Sequence, residues 1–144
     1  MKKVFIDSDI ILDLLAEREN FYDDAAEIFT LAYEKKIELY TTAVVLANVF
    51  YILRKIKGNE EAKRKIKKIR LLVRVLPINE NIVDIVLNSS FADFEDGLQY
   101  FTSKTHNILT IITRNIGDYK IDDMDMAICA SEEFLEKFDF FEDG

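Results

Sequence analysis

Val4-Phe5-Ile6-Asp7-Ser8-Asp9-Ile10-Ile11-Leu12 sets an apolar run, a polar triplet and a second apolar run side by side near the N-terminus. The first run reads as a buried, parallel, central strand. A carboxylate at the C-terminal end of such a strand stands where open α/β sheets place their ligands. Asp7 can equally cap the helix that follows. From this stretch alone the two readings weigh about the same. Other acids returning to the same sheet edge would separate them.

The rest of the chain carries four glycines and one proline, so loops are expected to be short and helices to dominate. Val4 to Ile6 is the first strand, followed by a short helix from Ile10 to Ala16. Phe21 to Lys36 has helical spacing at Ala25, Ile28, Phe29 and Ala32. Ile37 to Thr41 is a second strand. Ala43 to Lys57 lacks turn residues and predicts a largely buried helix ending at Gly58. Asn59-Glu60-Glu61 opens another helix with Ala62, Ile66, Ile69 and Val73 on one face. Val73 to Leu76 is a third strand, stopped by Pro77.

Asn79 can cap a helix to about Asn88, and Asp93 opens the next, with Leu98, Tyr100 and Phe101 among its apolar positions. Leu109 to Thr113 is a fourth strand, Met126 to Ala130 a fifth, and Ser131 to Phe138 a closing helix. Strands separated by helices predict a three-layer α/β/α sandwich with a mainly parallel sheet of four or five strands, one domain over residues 1–144. The aromatic end, Phe138-Asp139-Phe140-Phe141, is expected to pack on the body or on a second subunit.

Composition narrows the function classes. With 49% hydrophobic and 32% charged residues the chain is an ordinary soluble globular protein. The longest apolar stretch, Ala43 to Leu53, is too short for a bilayer and is broken by Asn48, so no membrane is expected. Lys2-Lys3 precede an apolar run, but Asp7 ends it too early for the signal peptide such a pattern would suggest, and none is expected. The lone Cys129 permits neither an internal disulfide nor a zinc motif, and a cytoplasmic location is expected.

The net charge of −8 argues against a protein that simply coats nucleic acid. Its distribution is uneven. From Arg54 to Arg74 there are ten Lys/Arg and two Glu, a local balance of +8, and the remainder stands at −16. That segment is either a solvated helix face or a surface for phosphates or an acidic partner.

Three further acidic positions fall where a parallel sheet would bring them near Asp7. Asp93 and Asp96 lie three apart at a helix start and share a face. Taken alone, they could simply offset the helix dipole. Asp118 follows the fourth strand through a Gly117-containing loop and could be a turn former. A right-handed parallel arrangement gathers all of them at one edge. Like-charge repulsion raises the energy of such a group, and a divalent cation relieves it. Oxygen-only donors select Mg²⁺ or Mn²⁺ over zinc.

Three segments together resemble the PIN domain, the metal-dependent nuclease fold of toxin ribonucleases in type II toxin–antitoxin pairs. They are Phe5-Ile6-Asp7-Ser8-Asp9-Ile10-Ile11-Leu12-Asp13, Asp93-Phe94-Glu95-Asp96-Gly97-Leu98-Gln99-Tyr100 and Ile111-Ile112-Thr113-Arg114-Asn115-Ile116-Gly117-Asp118-Tyr119. Helix order and length fit as well, so the resemblance spans essentially the whole chain. It implies that Asp7 is the first metal-binding acid, Asp96 the third and Asp93 an additional one. For the fourth acid, Asn115 and Asp118 share the neighbourhood and only Asp118 is a carboxylate. Thr113 matches a hydroxyl residue at the strand end.

Two departures stand out. Asp9 replaces the usual Asn two residues after the first acid, and Asn48 occupies the position where a Glu is usual, which weakens the case for two ions. Both are candidate supporting residues around the metal, although Asn48 could equally be a hydrogen-bonded polar residue of a buried helix.

The implied activity is Mg²⁺- or Mn²⁺-dependent hydrolysis of RNA phosphodiester bonds. Asp7, Asp96 and Asp118 would be catalytic, with Asp93 joining them on the metal and Arg114, Thr113 and Asn115 near the substrate. The resemblance also implies a homodimer and an antitoxin partner. Two alternatives remain at this stage. One is a PIN-like binding module with a weakened site. The other is a haloacid-dehalogenase-like phosphohydrolase with Asp7 as nucleophile, which would stretch Thr41 or Thr42, Lys104 and Asp122/Asp123 into supporting roles. His106 is expected at the surface or at a helix end.

Overall fold

A computed structural model describes residues 1–119 and 123–143, with side chains described through Phe138. Five strands form a single parallel sheet: β1 (Lys2–Ile6), β2 (Ile37–Thr42), β3 (Val73–Leu76), β4 (Thr110–Ile112) and β5 (Ala127–Cys129). Their spatial order is β3-β2-β1-β4-β5. The order reverses between β1 and β4, where Phe5 pairs with Ile111 and Ile6 with Ile112. That reversal opens a crevice at the C-terminal ends of these two strands.

The expected α/β sandwich with a parallel sheet is what the chain forms. Two helices, α1 (Ser8–Leu15) and α2 (Tyr22–Tyr33), connect β1 to β2, and α3 (Ala43–Lys57) and α4 (Asn59–Ile69) connect β2 to β3. Then α5 (Glu80–Leu87) and α6 (Phe94–Thr105) lead back to β4, and α7 (Ser131–Asp143) follows β5. Contacts join α1 to α2 and α3, α3 to α4, and α2 to α7, while α5 packs with α6. With right-handed crossovers, reversing the direction of travel along the sheet puts α5 and α6 on the opposite face.

The core lies where the sequence pattern put it. Val4, Phe5 and Ile6 of β1 are fully buried, as are Ile10 and Ile11 of α1. Burying such side chains stabilises the fold by roughly 1.5–3 kcal/mol each. In α3 only Val45, Val49 and Leu53 are buried, one stripe at helical spacing, while Tyr51, Ile52 and Ile56 are exposed. The expectation of a largely buried helix is corrected accordingly: the apolar run is continuous in sequence, but a helix turns half of it outward.

Leu109, expected in the fourth strand, is 38% exposed and precedes β4. His106 is the C-cap of α6, with Nδ1 2.8 Å from the Thr102 carbonyl. Phe138 stacks on Phe134 and packs on the core, while the side chains of Asp139, Phe140 and Phe141 lie outside the described residues. Among the described residues no helix is long and apolar enough to cross a membrane.

Candidate active site

Asp7 follows β1 directly and is the N-cap of α1, so the capping reading holds. Its backbone N–H continues the ladder to the Ile112 carbonyl at 3.1 Å. Its side chain is 7% exposed. Oδ1 accepts from the Ser8 N–H at 2.8 Å, and Oδ2 accepts from Thr113 Oγ1 at 3.1 Å and the Tyr119 hydroxyl at 2.9 Å. A buried carboxylate with several donors is held in one orientation. Thr113 follows β4 directly, so the crevice between β1 and β4 is lined by the first acid and its hydroxyl partner.

Asp9, in the first turn of α1, reaches the same corner. Its Oδ2 lies 3.3 Å from Thr113 Oγ1 and accepts from the Arg114 N–H at 2.9 Å. Its Oδ1 is buried without a hydrogen-bond partner. Burial, then the neighbouring Asp7 carboxylate, pushes the Asp9 pKa up to about 6, against the lowering pull of the Arg114 N–H. Asn115 donates its backbone N–H to Thr113 Oγ1 at 3.1 Å and is exposed.

Arg114 was expected near substrate, but its guanidinium already has a carboxylate. It makes two hydrogen bonds to Asp13, Nε to Oδ2 at 3.0 Å and Nη2 to Oδ1 at 2.8 Å, and lies 4.0 Å from the Phe21 ring centroid. Asp13 is 1% exposed and is also 3.7 Å from Arg18. Fork geometry and stacking suit arginine to such a site. The pair ties the loop after β4 to α1, and Arg114 shapes the site through its backbone.

The third wall is the start of α6. Asp93 is the N-cap, accepting the Asp96 N–H at 2.9 Å. Gly97 permits the close approach of this turn to α5, since a Cβ there would lie 2.6 Å from Val86 Cγ1. The Asp96 carboxyl is pushed up to about 7 by burial first, then by Asp93, Asp7, Asp118 and Glu95. Four neighbouring carboxylates therefore act on Asp96. Asp118 is exposed, in a 3₁₀ turn from Ile116 to Tyr119 rather than an irregular loop. Asn48 donates from Nδ2 to Glu95 Oε2 at 2.8 Å, linking α3 to α6.

Sequence reasoning assigned no role to Tyr119, Asp13 or Glu95. Asp13 left a signal, an acid inside the apolar run of a short helix. The partners of Tyr119 and Glu95 become visible only once the sheet is assembled.

Among the described residues no three acidic, histidine or cysteine side chains form a ready-made metal cage. The donors nevertheless fit a hard divalent cation. They are all oxygens, one buried oxygen of Asp9 is orphaned, and neighbouring carboxylates add to burial in raising Asp96.

Comparison with known proteins identifies the family. Residues 3–117 match the model of a PIN domain family. The match includes Asp7, Asp9, Asn48, Asp93, Asp96 and Thr113 and stops one residue before Asp118. The chain is similar to Ribonuclease VapC1 of Aquifex aeolicus, with 25% identity over 142 residues, 95% of this chain and 96% of the relative.

Two solved structures share the fold. The VapC20 toxin of Mycobacterium tuberculosis, described as cleaving the Sarcin-Ricin loop, has a TM-score of 0.60 at 17% identity, over 75% of this chain and 86% of that one. VapBC2 of Rickettsia felis, bound to a DNA fragment from its promoter, has a TM-score of 0.64 at 15% identity, over 88% and 96%.

Proposed function

The chain belongs to the PIN domain family, and from that premise we propose that it is a ribonuclease that hydrolyses RNA phosphodiester bonds with Mg²⁺ or Mn²⁺, acting as the toxin of a toxin–antitoxin pair. The observation that carries this reading is the meeting of Asp7 and Thr113 at the strand-order reversal, with the Asp7 and Asp93 charges both acting on Asp96 of α6. The relative named a ribonuclease and the structural neighbours described as a toxin and a VapBC assembly support it.

Asp7, Asp93, Asp96 and Asp118 would hold the ion. When bound, it would supply a water of lowered pKa and neutralise charge on the scissile phosphate. The protein's own work is orientation. Thr113, Tyr119 and the Ser8 N–H fix the Asp7 carboxylate, and the Asp13–Arg114 pair fixes the loop that carries Thr113. Asn115 is exposed beside Thr113 and would meet the RNA backbone.

Cations for the wider RNA come from the Arg54–Arg74 segment. Lys65 in that segment instead caps α1, donating from Nζ to the Leu15 carbonyl at 3.1 Å. An antitoxin and a second copy of the chain are the proposed partners, with the exposed Tyr51, Ile52 and Ile56 of α3 offering apolar area.

One observation favours a second reading, a binding module with a weakened site: a neutral Asn48 where an acid is usual. The dehalogenase-like alternative has no support in the family match. Its Lys104 is paired with Asp123 at 2.5 Å, and Asp122 lies outside the described residues. The test is cleavage of single-stranded RNA by the purified chain in chelator and in Mn²⁺. Cleavage only with the ion supports a metal-dependent ribonuclease. No cleavage in either condition, with no measurable Mn²⁺ binding near neutral pH, supports the binding module.

A further inference from the structure

The Asn48–Glu95 hydrogen bond crosses from α3 to α6, next to Asp96 in the first turn of α6, and it joins a neutral amide to a carboxylate. The Asn48 amide gives its donor end to Glu95 Oε2 at 2.8 Å, which fixes the orientation of both groups. The amide's other end, Oδ1, is then an oxygen acceptor, a type of donor that Mg²⁺ and Mn²⁺ accept.

A second link shows that this face of α6 is turned toward α3. Gln99, four residues after Glu95 and on the same helix face, accepts from Thr42 Oγ1 at 2.7 Å, in a bond that is buried. Thr42 is in turn the N-cap of α3, its Oγ1 accepting the Val45 N–H at 3.3 Å. The interface that carries Asn48 and Glu95 is therefore anchored from within. Glu95 directly precedes Asp96 in the first turn of α6.

We propose that Asn48 and Glu95 act as one unit, in which the amide of Asn48 holds the Glu95 carboxylate at the α3 side of the site and so returns the negative charge that position 48 lacks. The inference rests on the metal-dependent reading above, and it makes Glu95 a positioning residue for the divalent cation. The charge stands on α6, and the hydrogen bond bridges it to α3. This differs from a weakened site, in which position 48 would be neutral and Glu95 merely a solvated surface acid.

Glu95→Gln tests this cleanly, because glutamine keeps an oxygen that accepts from Asn48 and removes only the charge. The readouts are the Kd for Mn²⁺ alone, by calorimetry, and the melting temperature without metal. The expected result is a loss of Mn²⁺ affinity of about tenfold or more, the size usual for groups that support a metal ligand, with an unchanged melting temperature. Asn48→Glu placed in the Glu95→Gln background should recover most of that loss, since the carboxylate then sits at position 48.

An unchanged Kd in Glu95→Gln, with Asp7→Asn abolishing binding, overturns the inference and leaves the metal site standing. A failure of Asn48→Glu to recover affinity in a folded protein also overturns it. Wild-type chain that binds no Mn²⁺ overturns both the inference and the metal-dependent reading on which it rests.

Discussion

The phenol of Tyr119 donates a 2.9 Å hydrogen bond to Asp7 Oδ2, joining residues 112 positions apart, and Tyr119 is 2% exposed. Burial, followed by the Asp7 carboxylate, pushes the Tyr119 pKa far above its ordinary value, so this hydroxyl remains a donor at every working pH. Tyr119 belongs to the 3₁₀ turn that also carries Asp118. The turn therefore places one acid and orients another.

Replacing Tyr119 with Phe removes a hydrogen bond to a buried charged acceptor while keeping the ring. Such bonds contribute about 1.5–3 kcal/mol. Since Asp7 keeps Thr113 and the Ser8 N–H, Tyr119→Phe is expected to cost about 1–2 kcal/mol in urea denaturation and to weaken Mn²⁺ binding. Equal stability and equal affinity would show that the bond orients nothing.

Arg114 separates a structural role from a substrate-binding one. Lysine cannot reproduce the two-point bond to Asp13 or the stack on Phe21. Asp13 keeps Arg18 at 3.7 Å, and Arg114 is 30% exposed, so the loss is smaller than for a fully buried pair. Arg114→Lys is expected to lower stability by about 1–2 kcal/mol while leaving KM for RNA within about twofold. A large rise in KM without destabilisation would return the guanidinium to the substrate.

The pH dependence follows from Asp96 and Asp9, raised to about 7 and about 6. Both folded values lie above the unfolded one near 4, so the folded state binds these protons more tightly. Their contribution to stability is complete below about pH 4 and is lost as pH rises through 6 and 7. On their account the metal-free chain should lose stability across that window, and saturating Mn²⁺ should reverse the trend. Mn²⁺ affinity should rise over the same interval as protons are displaced. Melting curves and titrations at pH 5.5, 6.5 and 7.5 test this, and a flat affinity would contradict it.

Gly97 lets the first turn of α6 lie against α5. With only 2.6 Å between a built Cβ and Val86 Cγ1, Gly97→Ala forces the helices apart. Overpacking of this kind costs about 1–3 kcal/mol. Thermal denaturation should show that loss, together with reduced cleavage, because Asp93 and Asp96 move with the turn. Unaltered stability would mean that Val86 yields freely.

Much of the fold was legible because its signals are local. The apolar run Val4–Ile6 lies within β1, the expected strand Val73–Leu76 is β3, Asn79 caps α5 through the Ile82 N–H, and Pro77 follows β3 directly. The exposed side of α3 was hidden, since an unbroken apolar run does not say which part of a helix faces out. In the site, Asp7, Asp93 and Asp96 were readable as acids at element ends. Their partners were not. Tyr119, Arg114 and Glu95 act across 112, 101 and 47 positions, separations that only the assembled sheet and its helices close.

The central claim is that the carboxylates at this sheet edge hydrolyse RNA with the help of a divalent ion. The most direct measurement is Mn²⁺-dependent cleavage of single-stranded RNA by the wild-type chain and by a folded Asp7→Asn, Asp96→Asn double variant. The account predicts cleavage by the first and loss of at least about a hundredfold in rate in the second, on the scale of removing a group that stabilises the transition state. Undiminished cleavage by the double variant would contradict it.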